Sequence, residues 1–174
     1  MNLVEIIQKN LGYTPIKKID PNTAEPKDKL LAFESASLPQ AGVPVIVLGL
    51  MNYMAGDLGN EKVPNIETLD ELFGENLDEI ITRVATYSGN TIEHTKHELN
   101  FIAKEALRVT REKIKENTGG FKDFVVVQKR DAMLYLPESL HAGVLLGDSR
   151  IDDKTNKMEG PLSNVMHNIE KRFS

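Results

Sequence analysis

Apolar residues along the chain recur three and four positions apart far more often than they alternate, and glycine and proline cut that pattern into segments. Leu3, Ile6, Ile7 and Leu11 share one helical face and Gly12 follows, which predicts a short helix over Leu3–Asn10. Residues 14–28 carry Pro15, Pro21 and Pro26 and few large apolar side chains, the pattern of an irregular connection. Residues 29–35 predict another short helix, closed by a turn at Ser37, Leu38 and Pro39. Pro44 suits a first helical position, and the apolar side chains from Val45 to Met54 cover every side of the helix that would follow, so that helix must be buried all round. The β-branched residues of 43–48 also suit a strand, but the run continues to Met54 without a turn, which favours helix.

Asn65 stands before an acidic first turn and Gly74 after Phe73, predicting an N-capped two-turn helix over residues 66–73. Leu77, Ile80, Ile81, Val84 and Ala85 give the next amphipathic helix, stopped at Gly89. Asn90 and Glu93 stand at capping-box separation ahead of the longest element, which runs to about Asn117. Residues 121–128 suit strand or helix; no second alternating segment exists to pair with a strand, so they read as helix. Pro137 opens a helix over residues 138–146. Pro161 opens a last one with Leu162, Val165, Met166, Ile169 and Phe173 on one stripe. The expected fold is all-α: a single-domain, irregular bundle of six to nine helices around a central apolar helix. It spans residues 1–174, with 14–28 a Pro-rich irregular connection and 147–160 a polar interhelical loop.

Composition narrows the function classes. The chain has no cysteine, which excludes disulfides, cysteine-ligated metals and thiol catalysis. The first residues lack the basic start and unbroken apolar run of a secretory signal. The apolar stretch of residues 43–51 is far below the ~20 residues of a membrane span, so a cytoplasmic protein with no membrane role is expected.

Histidines and carboxylates one turn apart are how helical bundles hold metals, and His94, His97 and Glu98 have that spacing. A helical wheel, however, puts both histidines roughly 150° from the apolar stripe of Leu99, Ile102 and Ala106, facing away from a core. His167 is likewise opposite its stripe. His141 falls among apolar neighbours and reads as a hydrogen-bonded core histidine. An enzyme with a dispersed site around His141 and Tyr135 is a third reading.

Counted from Asp148, residues 148–159 place Asp152 and Glu159 at ligand positions of a calcium loop, but Arg150 takes another ligand position and Asp153 the place of the required glycine. His97 and Glu98 lack the second histidine of the zinc-protease pattern. The glycines and lysine of residues 56–62 lack phosphate-loop spacing. No cofactor is expected.

Charge carries more. The chain is acidic, with formal net charge −5, but residues 57–79 hold eight carboxylates against Lys62 alone, −7, leaving the remainder at +2. On the longest helix Lys104, Arg108, Arg111 and Lys115 line one face, and Phe101 joins them. A large aromatic on a basic helical face is suited to an anionic partner or another protein's helix. The expected function is therefore a non-catalytic helical protein acting through protein–protein contact, as a homo-oligomer or scaffold. Metal or small-ligand binding is the alternative, and the acidic segment argues against a nucleic-acid partner.

Overall fold

The computed structural model describes residues 2–19, 37–56 and 66–146, which are predominantly helical, with no strand among the described residues. Five helices have eight residues or more: α1 (Leu3–Asn10), α2 (Ser37–Gly56), α4 (Leu77–Ser88), α5 (Ile92–Glu116) and α6 (Phe121–Met133). Two short ones, α3 (Leu69–Phe73) and α7 (Ala142–Leu145), complete the described set, with 3₁₀ turns at Gly74–Asn76 and Glu138–Leu140. The sequence expectations for residues 29–35, 148–159 and 161–173, and for His167, lie outside the described residues.

α2 begins two turns earlier than Pro44 predicts. The expected turn at Ser37, Leu38 and Pro39 is its first turn, and Pro44 lies inside the helix. An interior proline removes a backbone donor and costs about 3 kcal/mol. Here every residue from Ala41 to Met51 is buried, so apolar burial on both sides of Pro44 offsets that cost. Tyr53 departs from the all-round pattern, with 42% of its surface exposed. α2 packs against α1, α3, α4, α5 and α6. Its stretch Leu38–Gly56 is long and apolar enough to cross a membrane, yet most of it is buried inside the protein. At Gly49 a Cβ would lie 2.4 Å from Cε1 of Phe73, so only glycine lets α3 approach α2 this closely.

Two helix starts differ from the sequence reading. Thr68 rather than Asn65 caps α3: its Oγ1 accepts from the Glu71 amide at 3.2 Å and donates to the Glu71 carboxylate at 3.1 Å, shortening the helix to little more than one turn. Thr91 rather than Asn90 caps α5, accepting from the His94 amide at 3.2 Å. Gly89 ends α4 as expected, in the left-handed conformation.

The segment after α1 is an irregular connection as far as it is described, and it is anchored. The Ile16 amide donates to Gln8 Oε1, the Ile19 amide to the Leu134 carbonyl at 2.8 Å, and Gln40 donates to the carbonyls of Lys17 and Tyr135. α1 is tied to α6 where the Leu3 amide donates to Gln128 Oε1 at 2.8 Å. The ambiguous residues 121–128 are helical, within α6.

Candidate functional site

α5 positions most of the candidate residues because its sides have different neighbours. Leu99, Ile102, Ala106 and Val109 are buried against the other helices, and Thr95 and Thr110 are fully buried with them. On the outer side Lys104, Arg108, Arg111 and Lys115 are all exposed, and Phe101 keeps 51% of its surface in solvent. Phe101, Lys104 and Arg108 are separated by three and four residues, so an apolar ring lies in line with two cations.

The cations of this face are not equivalent. Arg108 is held between Glu105 and Glu112, both at 2.6 Å, and Lys113 pairs with Glu116 at 2.6 Å. The Arg108 guanidinium holds the Glu105 carboxyl below its usual range against a smaller opposing effect of burial; Asn10, donating at 2.7 Å, acts in the same direction as Arg108. Lys104 and Lys115 make no ion pair among the described residues. The acidic counterpart is exposed as well: Glu67, Asp70, Glu71, Glu75, Asp78 and Glu79 all lie on the surface of the α3–α4 region.

Between these two charged regions lies a cleft of about 350 Å³. Ile46 and Leu50 of α2, Ile66, Leu69 and Leu72 of the α3 region, and Ala103 and Leu107 of α5 give it apolar walls. Asn100, Lys104 and Arg111 stand along one side and Glu67 and Thr68 on the other. The sequence pattern marks Lys104 and Arg111 as surface cations but not the cleft. Asn100, Ala103 and Leu107 fall between the core stripe and the basic face, and only the packing of α3 against α2 turns that border into a wall.

With that geometry in view, the chain matches no protein-family model, no curated protein and no solved structure.

Among the described residues the metal candidates are not gathered. His94 and His97 are exposed on α5, as the wheel predicts, while Glu98 is half-buried and its carboxylate accepts the Tyr13 hydroxyl. Burial, reinforced by that carboxylate, pushes the Tyr13 hydroxyl well above its usual value. Among the described residues no group of three or more His, Asp or Glu could hold a metal ion. Asp148, Asp152 and Glu159 lie outside the described residues.

His141 corrects the sequence reading. It is exposed, not a core residue, because the expected helix over residues 138–146 breaks there: His141 adopts a left-handed φ of 43° between the 3₁₀ turn and α7. Arg83 stabilises the break by donating to the carbonyls of Leu140 and His141 at 3.0 and 2.8 Å. Tyr135 is engaged elsewhere. Its buried hydroxyl donates to Glu5 at 2.8 Å and accepts from Asn2 at 3.2 Å, and no hydrogen bond joins it to His141. Its pKa is raised, first by burial and then by Glu5, against the lowering effect of Asn2.

Proposed function

We propose that this protein is a non-catalytic, cytoplasmic helical module that works through protein–protein contact, as a homo-oligomer in which the basic face of α5 meets the acidic α3–α4 surface of a second copy. In this reading residues 1–174 form one domain, a bundle of six to nine helices with α2 at its centre. The observation that carries it is Phe101. A large aromatic half in solvent, in line with Lys104 and Arg108, supplies the apolar anchor and charged rim of an association surface. The exposed carboxylates from Glu67 to Glu79 supply a complementary surface on the same chain. Such a contact weakens as salt screens it. Light scattering on the full chain tests it: Phe101→Ala, and Arg108→Glu combined with Arg111→Glu, lower the oligomeric mass, and raising the salt concentration does the same. An unchanged mass in both variants contradicts the contact face.

A second reading, a small-ligand-binding helical protein, is supported by the cleft between α2, α3 and α5. Among the described residues the metal form of that alternative begins from the His94 and His97 pair, and a zinc titration followed by melting temperature tests it.

A further inference from the structure

The cleft has three properties that together define a ligand. Its volume, about 350 Å³, falls at the small end of the range for small-molecule sites, about 300–1,000 Å³. Its floor is aliphatic: Leu50, Leu69, Leu72 and Leu107 contribute branched side chains, and among the described residues no aromatic ring lines it. A flexible alkyl chain fills such a floor, whereas a nucleobase or other flat ring finds no face on which to stack. Among the described residues the charged groups at its edge are Lys104, Glu67 and Arg111, and Arg111 is engaged with a partner of its own. The neighbouring Glu71 carboxylate is turned back into the α3 cap, accepting from Thr68 Oγ1 and, at 3.4 Å, from the Glu67 amide. Lys104, which makes no ion pair among the described residues, therefore has its donors available for an anionic head.

We infer that this cleft binds a single-tailed anionic amphiphile, a carboxylate-headed acyl chain whose tail lies on Leu50, Leu69, Leu72 and Leu107 and whose head meets Lys104. The inference rests on the small-ligand reading above and shares Lys104 with the proposed contact face, whereas Phe101 belongs to that face and does not line the cleft. The tail gains affinity by leaving water, about fourfold per fully buried methylene. The head gains it by a charge-assisted hydrogen bond to the lysine ammonium.

The probes are hexanoate, octanoate and decanoate, with decanol and decyltrimethylammonium as the neutral and cationic controls, each kept below its micelle concentration. Titration into the full chain is followed by amide NMR shifts and calorimetry. Expected are saturable binding that tightens from hexanoate to decanoate, weaker binding of decanol, no binding of the cation, and shifts centred on residues 66–72 and 100–111. Lys104→Gln, a change at an exposed position, weakens decanoate about fivefold and leaves decanol unchanged. Ala103→Phe, which fills the cleft, weakens both. Phe101→Ala leaves decanoate affinity intact while lowering the oligomeric mass, so failure of the cleft and failure of the contact face are separate results. No saturable binding, equal affinity for decanoate and decanol, or indifference to Lys104→Gln would each overturn the inference.

Discussion

α2 and α5 are the two longest described helices, 20 and 25 residues, and they are built on opposite plans. α2 contains no charged residue and is buried on all sides from Ala41 to Met51, so its sequence answers almost entirely to packing. α5 divides lengthwise into a buried stripe around Leu99 and Ile102, a border stripe of Ala103 and Leu107 facing the cleft, and an outer stripe carrying Phe101, Lys104 and Arg108. A substitution in α2 should therefore act on stability, whereas one on the outer stripe of α5 should act on association. The division is also why a motif search finds little. The helix richest in information about the fold bears no reactive group, and the one bearing charges arranges them as a surface.

The largest effect expected is from Leu48→Ala. This fully buried α2 side chain should cost about 2–5 kcal/mol in urea unfolding, because the surrounding helices cannot close the cavity. Gly49→Ala should cost about 1–3 kcal/mol, since the new methyl would force the Phe73 ring from its place. A loss as small as that of a surface change at either site would break the contrast from the α2 side.

Tyr13→Phe comes next. It removes the hydroxyl that Glu98 accepts, with an expected loss of about 1 kcal/mol at neutral pH. The Tyr13 pKa is raised in the fold, so its contribution is complete below the ordinary value of 10.0 and is lost as pH rises beyond it; the variant should show a shallower alkaline fall in melting temperature. Glu105 behaves in the opposite sense. Its pKa is lowered, so its contribution is present above the ordinary 4.5 and is lost as pH falls below it, and Glu105→Gln should flatten the acid limb. The smallest effect on stability belongs to Phe101→Ala, within about 0.5 kcal/mol. The same change should lower the oligomeric mass, and a stability loss matching that of Leu48→Ala would erase the distinction between the helices.

Much of the helical pattern was legible because it is local. The stripe of Leu77, Ile80, Ile81 and Val84 and the stop at Gly89 delimit α4 correctly, and the absence of a partner for residues 121–128 rightly favours helix for α6. The readings that changed depend on tertiary context. Pro44 resembles a helix start, yet burial of Leu38, Ala41 and Val43 carries α2 through it. Thr68 and Thr91 displaced asparagines as caps. His141 lost its apolar surroundings once the chain broke before α7, where Arg83 from α4 holds two carbonyls. At the site, helical spacing alone places the basic residues and Phe101 on one side of α5. The cleft was not legible, because half its wall comes from Ile66, Leu69 and Leu72, distant in sequence from α5 and brought beside it by the close approach at Gly49.

The central claim is that the outer stripe of α5 is an association surface, and native mass spectrometry of the full chain tests it most directly. The account predicts an oligomer for the unaltered protein and a shift to monomer both for Phe101→Ala and for Arg108→Glu combined with Arg111→Glu. A monomeric unaltered protein, or an oligomer that survives the double charge reversal, would contradict it.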